Sequence, residues 1–246
     1  MRWWGDDLPS EAPPLKAGAL HLWLLDLSRA QAHYASNLAH LSAQERARAA
    51  RYISDRPRHQ FAQARAHMRQ ILGRYIGLPA KDLRLDIEHR GKPRLATTPQ
   101  PLRFNLSHSH DAAALVVGLN GALGVDVEHH DTRRGLRALA RYAFSESEQR
   151  ALETSGDYVQ TFFRTWTLKE AYLKAMGQGL AIDLKSFEVD ASASDAARLV
   201  RAAHPLAQPE RWWMHALELS AHYSVAIAYD YSQPASLEVM RFTNGE

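Results

Sequence analysis

Apolar positions in this chain recur at two spacings, and the change from one to the other marks out its elements. From Leu41 the run LSAQERARAARY carries Leu41, Ala49 and Tyr52 at helical spacing, with Ser42 in the place of an N-cap. A second helical run, RHQFAQARAHMRQILGRYIG, is stopped by Gly77 and Pro79. The spacing then shortens to two. LRLDIEH, the turn-like RGKPRL, LRFNLSH and AAALVVGL alternate or are rich in β-branched residues, and they read as strands separated by punctuation. The predicted order is two helices followed by antiparallel strands.

The same order returns in the second half. YVQTFFRTWTLKEAYLKAMGQGL predicts a helix ending near Gly177, SFEVD a strand, and WWMHALELS followed by YSVAIAYDY a hairpin. Arg65 and Lys169 are 104 residues apart and Leu106-Ser107 and Leu219-Ser220 are 113 apart, the excess falling in ASASDAARLVRAAHPLAQPE, a predicted surface loop. The pattern predicts a duplicated α+β unit jointed near Asn120-Gly121, giving lobes of 1–120 and 121–246. Chance recurrence of helix-then-strands, common among α+β folds, is the alternative that spacing alone leaves open.

Composition narrows the class. At 246 residues, with 46% apolar and 23% charged positions, the chain is neither disordered, collagenous nor a coiled coil. No window approaches the ~18 uninterrupted apolar residues of a membrane span, and Met1 to Ser10 lacks the basic start and apolar run of a signal peptide, so a cytoplasmic protein is expected. The absence of cysteine removes disulfides, thiolate nucleophiles and thiolate metal sites. The net charge of +3 is unevenly placed: Gln44 to Arg103 holds 14 Lys/Arg against 5 Asp/Glu. Arginine supplies 24 of the 30 basic residues, which favours forked contacts to phosphate or carboxylate.

Three groups of residues carry candidate chemistry. In GVDVEHH, alternation along a strand puts Asp126 and Glu128 on one side, two carboxylates that repel unless a cation lies between them. Magnesium fits such a pair better than calcium, which wants 6 to 8 oxygens; a solvated acidic edge strand is the other reading. In FFRTWTLKEAYLKAMGQGL, Trp166, Glu170 and Lys174 share one helical face with Lys169 beside it, and an ordinary Glu-to-Lys surface pair is the bland interpretation. RGKPRL and FNLSHSH offer Lys92, Ser107, His108 and Ser109 as short donors to an anion. His108 and His110 alternate on one strand face, but without a carboxylate or third histidine at helical spacing they do not make a zinc site.

The ordered series GKP, FNLSHS, GVDVE, FSESE and FFRTWTLKEAYLKAMGQGL resembles the 4′-phosphopantetheinyl transferases, specifically the long, two-lobed Sfp type, from about Leu41 to Asp190. The resemblance implies an α+β fold, a pseudo-twofold duplication of a helix-plus-antiparallel-sheet unit in a monomer. It implies transfer of the phosphopantetheine arm of coenzyme A to a serine of an apo acyl or peptidyl carrier protein, releasing adenosine 3′,5′-bisphosphate. By the same resemblance Mg²⁺ is held by Asp126, Glu128 and Glu170, and Lys169 and Lys174 contact coenzyme A phosphates. Lys92, Ser107 and His108 match the positions gripping the nucleotide end, and Arg48, Arg51 and Arg58 are candidates for the 3′-phosphate. Glu170 is the implied base, with its second role as ligand left open, and Lys174 stands beside it in the catalytic set. His110 and Gln178 depart from the family pattern, which has a small residue after SHS and a lysine in GKGL. The carrier is implied to dock on HHDTRRGLRALARYAF, through Arg133, Arg134, Arg137 and Arg141 with Leu136 and Leu139. Two other classes fit parts of the sequence. A Mg²⁺-dependent nucleotide diphosphate hydrolase would need no carrier, and a nucleic-acid module would need neither D-x-E nor Glu170; no nucleic-acid partner is expected.

Overall fold

The computed structural model describes residues 2–4, 12–87, 91–96, 98, 101–177, 182–192, 197–202 and 208–242. Gln178 lies outside them. The chain divides into two units, one of Met1–Glu88, Pro93–Asn120 and Ser236–Glu246, the other of His89–Lys92 and Gly121–Ala235. A single cut after residue 120 therefore differs from this division in two places: the last strand runs with the first unit, and the turn holding Lys92 with the second.

The first unit begins with strands β1 (Arg2–Trp4) and β2 (Ala19–Asp26) and helices α1 (Tyr34–His40), α2 (Ala43–Ala50) and α3 (Asp55–Ile76). Strands β3 (Leu85–Ile87), β4 (Pro93–Leu95), β5 (Leu102–Ser109) and β6 (Ala112–Leu119) follow. The second has β7 (Leu123–His129), helices α4 (Leu136–Ala143), α5 (Glu146–Thr154) and α6 (Tyr158–Met176), then β8 (Glu188–Asp190), β9 (Ala197–Arg201), β10 (Trp212–Ser220) and β11 (Tyr223–Asp230). Strand β12 (Ser236–Phe242) returns to the first unit, pairing in parallel with β2. The two main sheets run β1-β12-β2-β6-β5 and β7-β11-β10-β9-β8, and β3 and β4 form a separate hairpin.

Apart from β1 and β12, which the first unit has in addition, each unit runs strand, three helices and four strands among the described residues, with β2 pairing antiparallel with β6 and β7 with β11. Both units open their second helix with a capping box, Ser42 with Glu45 and Ser145 with Glu148, which satisfies two otherwise unpaired donors. Both end the long third helix on a left-handed glycine, Gly77 at φ 69° and Gly177 at φ 65°, a conformation that costs a residue without Cβ little. Trp23, Leu25, Met68, Ile71, Leu72, Phe104, Leu115 and Met240 pack the first core, and Leu168, Tyr172, Phe187, Met214 and Ala226 the main core of the second.

Three sequence expectations fail here. Two strands and a short helix precede α2, and of these β2 is buried along almost its whole length and so lacks the alternation by which half-buried strands are recognised. The Ala- and Ser-rich stretch contains β9, with Ala197 and Leu199 buried, so it is not simply a surface loop. The helical landmark also shifts. Counting back from Gly77 and Gly177, the counterpart of Lys169 is Arg69, not Arg65.

Candidate active site on β7 and α6

Strand β7 is apolar where it enters the core, with Val125 and Val127 fully buried, and α6 packs across β7 and β11. The helix and β7 approach closely at Gly124. A Cβ there would collide with the Ala171 carbonyl oxygen and the Ala175 nitrogen, so only glycine lets the helix lie against the strand. Side chains alternate along β7, so the face of Gly124 that meets α6 also presents Asp126 and Glu128. Along α6, Glu170 and Lys174 are one turn apart and half-buried, flanked by the buried Ala171 and Ala175.

Electrostatics confirm that these groups share one space. Lys174 Nζ donates to Asp126 Oδ1 at 2.5 Å, so the helix lysine reaches the strand carboxylate. Burial pushes the Glu170 carboxyl above the usual carboxylate range. The charge of Asp126 raises it further, Lys174 lowers it, and Glu128 adds a smaller upward push. Glu128 lies 3.6 Å from the Arg134 guanidinium, which in turn sits 5.9 Å over the Trp166 ring. Glu170 thus lies in the field of Asp126 and Glu128, with Lys174 and Arg134 beside these acids. Hard oxygen donors of this kind fit magnesium, not a thiophilic or imidazole-seeking metal. Among the described residues no group of three or more His, Asp or Glu is arranged to hold a metal ion. A cation entering here would compete with Lys174 for Asp126 and with Arg134 for Glu128.

Residues 122–228, which contain all of these groups, match the model of the 4′-phosphopantetheinyl transferase superfamily, and residues 28–119 match that of the 4′-phosphopantetheinyl transferase N-terminal region. The 4′-phosphopantetheinyl transferase HetI of Nostoc sp. is 35% identical over 192 residues, 76% of this chain and 81% of that protein. The chain belongs to the 4′-phosphopantetheinyl transferase superfamily. A 4′-phosphopantetheinyl transferase of Bacillus subtilis is 27% identical over 154 residues, covering 62% of this chain and 67% of its own. The human L-aminoadipate-semialdehyde dehydrogenase-phosphopantetheinyl transferase is 25% identical over 205 residues, covering 76% and 66%.

Within this transferase-family chain the expected site residues divide. Asp126, Glu128, Glu170 and Lys174 come together on β7 and α6. Lys169 does not join them. It is 1% exposed, and its ammonium donates to both Glu148 oxygens, at 2.7 and 2.8 Å, and to the Phe187 carbonyl at 2.9 Å. Burial lowers its pKa while Glu148 raises it, and with its protons spent in the core it has none to offer a coenzyme A phosphate. Lys92 donates to the carbonyls of Leu123 at 2.8 Å, Lys174 at 2.9 Å and Ala175 at 3.5 Å, which differs from the expected grip on a nucleotide.

The remaining residues lie in the first unit. Ser107 is buried on β5 and His108 exposed, on opposite faces of the strand. Arg48 and Arg51 are exposed, Arg48 5.2 Å over the Phe61 ring, and Arg58 is ion-paired with Asp55 within its own helical turn. Among the expected carrier contacts, Leu136 and Leu139 belong to the core formed with Phe144, Phe162 and Phe163. Arg133 and Arg137 reach out to Asp131 and Glu153.

The residue that the sequence reading missed is Glu148. Its carboxylate accepts from Ser145 N as part of the capping box, from Lys169, and from Val189 N on strand β8. The available signal was the acid three residues after Ser145 in FSESE, a capping-box spacing.

Proposed function

We propose that this protein transfers the 4′-phosphopantetheine arm of coenzyme A to a serine hydroxyl of an apo acyl or peptidyl carrier protein, releasing adenosine 3′,5′-bisphosphate with the help of Mg²⁺. The observation that carries the proposal is the convergence of Asp126, Glu128 and Glu170 with Lys174 on β7 and α6, inside the region matched by the family model. The serine oxygen attacks the phosphorus bearing the pantetheine half, and the bridging P–O bond breaks. The adenosine bisphosphate leaves with the bond's electrons, and the serine proton passes to a base.

Asp126, Glu128 and Glu170 would hold Mg²⁺, which supplies charge neutralisation at the diphosphate. Lys174, next to them, adds a movable cation for the diphosphate oxygens. Glu170 is the candidate proton acceptor for the serine hydroxyl, directly or through a water; the upward push of burial and of Asp126 on its carboxyl belongs to the metal-free site. Because one chain carries both copies of the unit, the reading takes the enzyme as a monomer, acting in the cytoplasm. Ser107, His108, Arg48, Arg51 and Arg58 are retained as the candidates for the nucleotide end of coenzyme A.

Intact-mass measurement of several apo carriers, incubated with the protein, coenzyme A and Mg²⁺, tests the proposal. A gain of one phosphopantetheine arm on a carrier is expected. Release of adenosine bisphosphate with no modified carrier would instead indicate a hydrolase.

A further inference from the structure

The Lys92 ammonium has three protons, and three backbone carbonyls receive them. Two belong to the last turn of α6, where carbonyls lack the usual N–H donors four residues on, although the Gly177 N–H also reaches the Lys174 carbonyl at 3.2 Å, and the helix end carries partial negative charge. The third, of Leu123, opens β7 three residues before Asp126. One side chain thus ties together the two elements that carry the acidic site. It does so next to a close backbone approach, since Gly124 follows Leu123 and faces Ala171 and Ala175. The glycine allows the contact and the ammonium holds it. Lys92 is itself held in place: Pro93 restrains its backbone to extended conformations, and Gly91 before it turns at φ 91°.

We propose that Lys92 is a positioning residue, which fixes the end of α6 against β7 and thereby sets Lys174 and Glu170 against Asp126 and Glu128. The proposal rests on the transfer reading above and assigns Lys92 no contact with substrate. A phosphate-gripping lysine would have to abandon three carbonyls to do its work, whereas a clasp works by keeping them.

The test compares wild type, Lys92→Met, Lys174→Met and the double variant, using coenzyme A and dephospho-coenzyme A with an apo carrier, alongside the melting temperature of each protein without ligands. Lys92→Met should lower kcat roughly tenfold or more by the same factor for both substrates, with each KM within about twofold of wild type. It should also lower the melting temperature of the unliganded protein by several degrees, since the carbonyls of Leu123, Lys174 and Ala175 lose the ammonium, and only that of Lys174 keeps the Gly177 N–H. Because Lys92 acts through the helix end bearing Lys174, adding Lys92→Met to Lys174→Met should cost less than about twofold more. Should Lys92→Met not fold, Lys92→Gln, which keeps two N–H donors, is expected to give intermediate losses in the same pattern.

A raised KM for coenzyme A alone, with kcat and the dephospho substrate unaffected, would overturn the proposal in favour of a phosphate contact. So would fully multiplicative losses in the double variant, or an unchanged kcat. No transfer by the wild type to any carrier removes the transfer reading itself, whereas wild-type transfer matched by Lys92→Met removes this proposal alone.

Discussion

Lys169 and Lys174 are five residues apart on one helix, yet their surroundings give them unrelated roles. Lys174 emerges at the half-buried edge of α6 and reaches Asp126, while Lys169 points into the core between the Phe144 and Phe187 rings, 6.0 and 4.4 Å away. Helical spacing made the face of Trp166, Glu170 and Lys174 legible, and strand alternation did the same for Asp126 and Glu128. Spacing could not reveal that Lys169 is neutralised, because its partner Glu148 is 21 residues away and is brought near only when α5 packs on α6. The difference is measurable. Lys169→Met should destabilise the protein by about 3–5 kcal/mol in urea unfolding, since it strands a buried carboxylate. Lys169→Met with Glu148→Gln should recover part of that loss, and KM for coenzyme A should stay near wild type in whatever fraction folds. A stable Lys169→Met protein with weakened coenzyme A binding would return Lys169 to the substrate.

Among the elements, long α3 and α6 and the hairpin strands were readable from periodicity and from their glycine stops. Strand β2 was not, for its apolar run has no polar face to give it a period. The buried positions of α3 carry a pH signature. His67 is almost fully buried, and burial, with smaller contributions from His33 and His40, lowers its pKa to about 3. Its pKa in the unfolded chain is higher, near 6.5, so acidification protonates the unfolded state first. Stability should fall by about 1.4 kcal/mol per pH unit below that value, and the loss should level off as the folded pKa is reached. His67→Gln should therefore lose less stability than wild type between pH 7 and pH 5 when urea midpoints are compared; parallel profiles would refute the assignment.

Helices α4, α5 and α6 bear a second element-scale consequence. Arg137, Arg141 and Arg150 line a cleft of about 490 Å³ with Glu146, Glu153 and Tyr158, three cations against two acids, and Arg137 lies 4.8 Å from the Tyr158 ring. If the carrier protein meets this cationic surface, Arg137→Glu with Arg141→Glu should raise the carrier KM several-fold and abolish most of its salt dependence, leaving coenzyme A binding unchanged. Unaltered carrier kinetics would put recognition on other elements.

At the scale of the whole molecule, a duplicated unit has produced a single acidic site. Matching β2–β6 with β7–β11 by register sets Trp23 opposite Asp126 and Leu25 opposite Glu128 in the comparison, and the helix ends set Gln70 against Glu170 and Arg74 against Lys174. The space that Gly124 and Ala175 leave narrow in one unit is filled in the other by His21 and Tyr75. The Tyr75 hydroxyl is 2.7 Å from His21 Nδ1 and accepts from Trp23 Nε1 at 3.0 Å. The first unit keeps the architecture, including the buried Glu45–Arg69 pair that parallels Glu148–Lys169, but none of the three carboxylates. Order and spacing suggested the duplication, whereas this asymmetry needed the register. Calorimetric titration of Mg²⁺ and coenzyme A should accordingly give one site per chain, and two equivalent sites would show that the aromatic cluster does not replace the acids.

If the carboxylates on β7 and α6 carry out phosphopantetheine transfer, the intact mass of an apo carrier after incubation with coenzyme A, Mg²⁺ and either the wild-type protein or Asp126→Ala will report it. Wild type should add one phosphopantetheine arm, and Asp126→Ala, folded to the same extent by circular dichroism, should add none in the same time. An Asp126→Ala protein that loads the carrier at a near-normal rate would contradict the account.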